Sequence, residues 1–456
     1  MDKEKITFNE INSQITDLSE KIKTADKINE DKYSEKGVYR GLRNLDGEGL
    51  LVGLTGISEI SARKESDGKL VPTEGRLFYR GYDINEIIKG IPLDSHFGFE
   101  ECTYLLMFGE LPNKNELHEF VELLAKFRKL PNTFVRDTIL KAPSPDMMVT
   151  LSRSILTLYS YDEKADDTSL SNVLRQCLYL ISVFPLLSVY GYVGYRHFYE
   201  DKTLYIHNPD PKLSTSENIL KILRPDSTYT PLEAKLLDML LILHMEHGGG
   251  NNSTFTTHLV TTTGTDTYSC IAAALGSLKG PNHGGATRKI VDMMRDIRDH
   301  VSDSKDEDEI AAYLKKILNG EAYDRTGNIY GIGHAVYSVS DPRNEMIRRF
   351  VEMLSHEKGL EEEFRFYNTV ERLAPKVISE NRKMYKGVSA NLEFYSGFVY
   401  TMLKIPEELF TPMFAVARIA GWSAHRLEEL CSATKIIRPA YSHTTPRREF
   451  VPMDKR

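Results

Sequence analysis

Three short segments hold the residues best suited to moving a proton: GPNHGGA at 280–286, YGIGHAVYSVSDPR at 330–343 and SANLEFYSG at 389–397. They set His283, His334 and Glu393 among glycines and small residues in an otherwise ordinary helical sequence. Glycine beside a histidine lets backbone and substrate come close to the ring, which a packed core histidine does not need. Two imidazoles and a carboxylate, each with a local reason to be accessible, point to acid–base chemistry at carbon.

His283 precedes the helical stretch ATRKIVDMMRDIRD. A helix N-terminus disfavours an imidazolium, so the ring is expected to be neutral and to donate a hydrogen bond, as suits an enolate oxygen. The competing reading is a loop histidine that caps or packs, and position alone leaves the two level. His334 lies nine residues before Arg343. A donor histidine near an arginine suits a carbonyl beside a carboxylate, and the charged contact is worth ~1.5–3 kcal/mol. A surface ion pair is the commoner fate of a single arginine. Glu393 opens a helical stretch, where a carboxylate already favours the helix dipole. As a general base it would contribute ~10²–10⁴-fold.

Other chemistries find less support. His244 and His247 have the one-turn spacing of a zinc pair, but no third ligand falls at a matching spacing and the pattern is not H-E-x-x-H. No metal site is expected. There is no Walker A loop, and Gly331-x-Gly333 lacks the third glycine of a dinucleotide fingerprint.

These residues need rigid elements around them. A helix is predicted from Pro231 to about His247, with Thr230 and Glu233 as a capping box and Gly248-Gly249-Gly250 as its stop. A second runs from about Asp266 to Lys279, ending at Gly280-Pro281. LLVGLTGI at 50–57 and RLFYRGY at 76–82 read as strands, with a turn at Asp67-Gly68. Residues 1–45 read as a charged surface helix or arm. Cys177 to Tyr195 is uncharged over 19 residues. Pro185 and two glycines favour a buried, kinked core helix over a membrane span.

With 456 residues the chain has room for two domains. A net charge of −7 leaves no cationic excess for a nucleic-acid backbone. Cys102, Cys177, Cys270 and Cys431 are scattered, as reduced thiols of a cytoplasmic protein would be. The first residues show neither a secretory h-region nor the composition of a transit peptide.

Taken together the chain resembles the citrate synthase family along nearly its whole length. The similar motifs are FYRGYDI at 78–84, HMEHGGGNNST at 244–254, GSLKGPNHGGA at 276–286, GIGHAVYSVSDPR at 331–343 and NLEFYSG at 391–397. FAVARIAGW around Arg418, KIIRP at 435–439 and RREFVP at 447–452 continue the match. The resemblance implies an all-α homodimer with a large domain (1–283 and 392–456) and a small closing domain (284–391). It implies condensation of acetyl-CoA with oxaloacetate in a Si-type reaction without metal or cofactor, and no membrane or nucleic-acid partner. His283 would donate to the acetyl-CoA enolate, His334 to the oxaloacetate ketone, and Glu393 would be the base. His247, Arg343 and Arg418 would hold oxaloacetate, with Arg438 reaching in from the partner subunit. Coenzyme A would lie over Ile329, Tyr330, Gly331, Ile332 and Gly333, with Lys383 and Lys386 near its phosphates. Glu393 stands where the family has aspartate. One alternative is a 2-methylcitrate synthase, which uses propionyl-CoA with the same machinery; the other, raised by Glu393, is a binding or assembly protein that keeps the fold with little turnover.

Overall fold

The computed structural model describes residues 12–25, 27–39, 41–43, 49–66, 69–333, 336–382, 387–432 and 435–456. His334, Lys383, Lys386 and the Asp67-Gly68 turn lie outside the described residues. The described residues up to Val52 join Arg438–Arg456 in one compact unit, and Gly53–Ile437 form another. In the first unit, the helix Asn12–Ala25 is followed by Asp31–Glu35. Lys32 Nζ reaches the carbonyl of Thr444 at 3.5 Å.

The second unit is mainly helical. Its small sheet pairs β1 (Ser58–Ser66), β2 (Lys69–Tyr79) and β3 (Tyr82–Asp83) antiparallel, in that order. LLVGLTGI is not a strand: residues 51–55 have no regular structure, and β1 begins only at Ser58. Leu51 and Leu54 are 84% and 92% exposed, so no sheet face buries them. Gly53 and Gly56 also weaken extended pairing, and the Gly56 N–H binds Glu428 Oε1 at 2.7 Å instead.

The apolar segment lies within the helix Leu170–Tyr199, which runs through Pro185. Among the described residues it is long and apolar enough to cross a membrane, but it is almost wholly buried within the protein. It packs along the helix Phe410–Cys431. Both helices are buried through their central turns and form the platform under the site.

The helix Pro231–His244 carries the expected capping box. Thr230 Oγ1 accepts from Glu233 N at 3.2 Å, and Glu233 Oε2 accepts from Thr230 N at 2.9 Å. It stops three residues earlier than expected, because Glu246 folds back to take the Gly248 N–H at 2.6 Å. That turn needs φ +83° at Gly248, where glycine meets no steric penalty. The helix Thr267–Lys279 is capped by Asp266, and Ala286–His300 follows the loop that carries His283. Residues 331–333 pair with 389–391: Ile332 bridges Ala390, Gly333 N donates to Ser389 O at 2.7 Å, and Asn391 N donates to Gly331 O at 2.9 Å.

Candidate active site

Two arginines are buried at the centre of this framework. Arg418 is 1% exposed; its Nε donates to the carbonyl of His244 at 2.8 Å, and its guanidinium lies 4.7 Å above the Phe414 ring. Its buried Nη1 has no hydrogen-bond partner among the described residues. Burial, followed by repulsion from Arg343, lowers its proton affinity, while Glu246, Tyr79 and Glu393 act in the opposite sense. A buried cation with a bare donor is costly unless an anion completes it.

Arg343 is not a surface ion pair. It is 2% exposed and grips Asp341 with two donors, Nε to Oδ1 at 3.1 Å and Nη2 to Oδ2 at 2.8 Å. Burial alone would weaken this guanidinium's hold on its proton, but Asp341 outweighs it and Glu393 adds to the gain. Asp341 also N-caps the helix Pro342–Lys358 and accepts from Leu392 N at 3.2 Å. One carboxylate therefore sets both Arg343 and the residue immediately before Glu393.

His283 is held by its own loop: its N–H donates to Gly280 O at 2.9 Å, and Gly284 N donates to Leu278 O at 2.9 Å. Its Nε2 lies 3.3 Å from Ser253 Oγ. Ser253 Oγ also accepts the Trp422 indole N–H at 3.1 Å and donates its own proton to Asn251 Oδ1 at 2.9 Å. Burial, then Arg418, pushes the imidazole down to about 4, so the ring is neutral at neutral pH. The neutrality matches expectation, but burial is its main cause rather than the helix terminus.

Both ring nitrogens of His244 have protein partners. His244 directs Nδ1 to Leu240 O at 3.0 Å and Nε2 to Ser396 Oγ at 3.3 Å, and burial followed by Arg343 pushes it down to about 3. His247 is buried with its ring 5.5 Å from that of Tyr337. Glu246 lies between these two histidines in the sequence. Burial drives its carboxyl up, but His425, Arg418 and Ser58 outweigh that and hold it at about 2.

Glu393 is half-buried at the start of the helix Glu393–Met402, and its charge bears on Arg343 and Arg418. The pairing of 331–333 with 389–391 brings the segment leading to His334 beside the one leading to Glu393. Ile329 is buried, Tyr330 and Ile332 are half-buried, and Gly333 is exposed. Gly331 has φ +79°, and a Cβ there would meet Ile290 and Phe394 at 2.9 Å. Tyr330 is fixed by Asp324 at 2.6 Å and by Lys289 at 3.0 Å. Arg438 is exposed and belongs to the other unit.

Sequence reasoning missed Asp341, Ser253, Trp422 and Glu246 as supports of the site. Asp341 had a visible signal, an aspartate before Pro342 at a helix start. The others act through tertiary contacts that no local pattern announces.

Fold and site define a largely helical protein with two buried guanidiniums and the acid–base groups His283 and Glu393 within their field. Residues 44–440 match the family model described as citrate synthase, C-terminal domain. The chain belongs to the citrate synthase family and is an acyl-transferring enzyme of citrate formation. It is 32% identical over 408 residues to the citrate synthase of Synechocystis sp., covering 88% of this chain and 93% of that one. It is 30% identical over 374 residues to the 2-methylcitrate synthase of Shewanella oneidensis, covering 82% and 90%. The citrate synthase structure from Pyrobaculum aerophilum superposes with a TM-score of 0.71 at 27% identity, covering 89% of this chain and 94% of that one.

Proposed function

We propose that this enzyme condenses acetyl-CoA with oxaloacetate and hydrolyses the citryl thioester, releasing citrate and CoA. The observation that carries the reading is the pair of buried guanidiniums, Arg343 and Arg418, with a bare Nη1 on Arg418 and Glu393 within their field. A small dicarboxylate matches two buried guanidiniums in charge and in bidentate geometry.

Glu393 takes a proton from the acetyl methyl group. His283 Nε2 faces Ser253, so Nδ1 is the nitrogen left for substrate. The Ser253 hydroxyl donates to Asn251 Oδ1 at 2.9 Å; as substrate binds it turns its proton to Nε2, so that Nδ1 carries the hydrogen that binds the enolate oxygen. A neutral donor matches this task, because its bond strengthens as the oxyanion develops. The enolate carbon then attacks the ketone of oxaloacetate. His334 protonates the ketone oxygen, while His247, Arg343 and Arg418 hold the carboxylates. Water cleaves the thioester. This route calls for no metal or cofactor; both carbon units arrive as substrates.

Coenzyme A lies over residues 329–333, with Lys383 and Lys386 toward its phosphates, and residues 284–391 form the smaller domain that closes on it. The catalytic unit is a homodimer in which Arg438 completes the partner's site. An exposed Arg438 supports this, as do Tyr441, Phe450 and Met453, which are 95%, 83% and 76% exposed in the same terminal segment. Free cysteines, three of them buried, fit a cytoplasmic setting.

The second reading is 2-methylcitrate synthesis from propionyl-CoA, favoured by the Shewanella relative. One extra methylene discriminates by only ~1–3 kcal/mol. Thiol release with each acyl-CoA, with and without oxaloacetate, tests both. Oxaloacetate-dependent release with acetyl-CoA supports the main reading, and a higher kcat/KM with propionyl-CoA supports the second. Release with neither, despite oxaloacetate binding, leaves a fold-retaining binding protein.

A further inference from the structure

The hairpin β1–β2 turns one face toward the two segments that bring His247 and Arg343 into the site. Ser58, Ile60 and Ala62 alternate on that face of β1, and Gly75, Leu77 and Tyr79 on that of β2. Ser58 stands opposite Tyr79, and Ile60 opposite Leu77. At this end the hairpin grips the turn that carries His247. Tyr79 Oη lies 2.9 Å from Ile242 O and 3.2 Å from Glu246 O. Ser58 Oγ donates to Glu246 Oε1 at 2.9 Å and accepts from Gly248 N at 3.1 Å. A Cβ on Gly248 would lie 2.8 Å from Ile60 Cδ1.

The second segment is Tyr337–Ser340, which leads into Asp341 and Arg343 and meets the hairpin at Gly75. There the strand pairing loses register. Ser61 faces Arg76 but Arg63 faces Pro72, so Thr73, Glu74 and Gly75 stand opposite Ala62 alone. A glycine at such a bulge lets another backbone come close. A Cβ on Gly75 would overlap the Ser340 carbonyl oxygen and lie 2.5 Å and 2.7 Å from Cδ1 and Cε1 of Tyr337. Gly387 closes on the same segment, since a Cβ there would overlap the Ser338 carbonyl oxygen. The segment is thus fixed at two points by backbone contact that any side chain would disturb.

Tyr337 is fully buried, and its ring lies 5.5 Å from that of His247 at an interplanar angle of 70°. This is the edge-to-face arrangement that aromatic rings favour. Arg343 and Asp341 act on its hydroxyl in opposite senses, while burial, the main influence, keeps it protonated. A rigid ring in a close-packed interior passes a displacement on one side to its neighbour on the other.

We infer that Tyr337 is a positioning residue, wedged between Gly75 and the His247 ring, through which the hairpin sets the spacing of His247 and Arg343. A tyrosine that merely filled the core would leave these two residues independent of β2. The consequence for binding rests on the oxaloacetate site proposed above, whereas the wedge itself does not, so each has its own readout.

Histidine-selective NMR of the whole, substrate-free protein tests the wedge. Gly75→Ala pushes on the Tyr337 ring, so the His247 imidazole resonances should shift. Resonances that stay in place would overturn the wedge. Oxaloacetate titration and steady-state kinetics test the binding role. Tyr337→Ala should weaken oxaloacetate binding by about ten- to a hundredfold, the worth of one misplaced charge-assisted contact. It should raise the oxaloacetate KM by a larger factor than it lowers kcat. Tyr337→Phe keeps the ring and should restore most of the lost affinity. A Phe variant that binds as poorly as the Ala variant would shift the role to the hydroxyl and overturn positioning by the ring. Tyr337→Ala with a lowered unfolding midpoint and unchanged oxaloacetate affinity would do the same. Should Gly75→Ala fail to fold, the Tyr337 series still decides the matter. Wild-type protein that does not bind oxaloacetate would count against the proposed function and leave the NMR result standing.

Discussion

Arg418 donates its Nε–H to the carbonyl oxygen of His244 at 2.8 Å, so a helix end and a buried guanidinium are fixed by one bond. The last carbonyls of a helix have no intrahelical partner and carry the negative end of its dipole. An arginine satisfies both needs and is pinned in return. The pinned guanidinium leaves Nη1 buried with no hydrogen-bond partner among the described residues.

This arrangement makes Arg418→Lys a test of binding. Lysine keeps the charge but cannot both cap His244 and present a second donor in the plane. Oxaloacetate affinity should fall by about ten- to a hundredfold, the worth of one charge-assisted contact, with kcat less affected. Isothermal titration with oxaloacetate and steady-state kinetics measure the two effects. Unchanged affinity would remove Arg418 from the oxaloacetate site.

Glu393 is the proposed base. Glu393→Gln should cut turnover by ~10²–10⁴-fold while oxaloacetate still binds. Glu393→Asp shortens the reach, and a displacement near 1 Å can cost ~10²-fold. A site adapted to glutamate should therefore slow with aspartate. A tenfold faster Asp enzyme in the thiol-release assay would mean that Glu393 is a detuned base rather than an accommodated one.

The depressed histidines predict acid sensitivity of the fold. His283 is held at about 4 and His244 at about 3, both by burial first. In the unfolded chain they take up protons below about 6.5. The unfolded state then binds more protons, so stability rises with pH and is lost as pH falls from about 6.5 toward 4. The loss is on the order of 3 kcal/mol for His283 alone. Thermal unfolding midpoints across this range should slope steeply, and His244→Gln should make the slope shallower. An unchanged slope would show that His244 takes up no more protons on unfolding.

Arg438 should act across the dimer. Chains with Arg438→Ala and chains with His283→Ala should each be inactive as homodimers and regain part of the activity after subunit exchange. Heterodimers that form but stay inactive would place Arg438 in its own subunit's site.

Much of the framework was legible in the sequence. The Thr230–Glu233 capping box, the Asp266 cap and the Gly280-Pro281 stop are local chemistry, and each occurs where the residues indicate. The strand assigned to LLVGLTGI failed because apolar content was read without asking which surface would bury Leu51 and Leu54. In the candidate site, His283, Arg343 and Glu393 can be singled out by residue type and setting alone. Their supports did not: Trp422 reaches Ser253 across 169 positions, and Asp341 reaches Leu392 across 51. Such pairings come from helix packing, and periodicity carries no record of them.

The bridge between Ile332 and Ala390 has a wider consequence. Because Gly331 and Gly333 are bonded to Asn391 and Ser389, the intervening chain is a loop sewn shut at its neck. The entropy of bringing the two rims together is lost once, as the polypeptide folds, and not again at each substrate encounter. The helix Glu361–Asn381 braces the same neck from behind, since Tyr395, two residues past Glu393, donates to Asn368 at 2.6 Å and lies 2.7 Å from Glu371 Oε2. The stitch and the helix behind it together set the tolerance with which the two rims face each other.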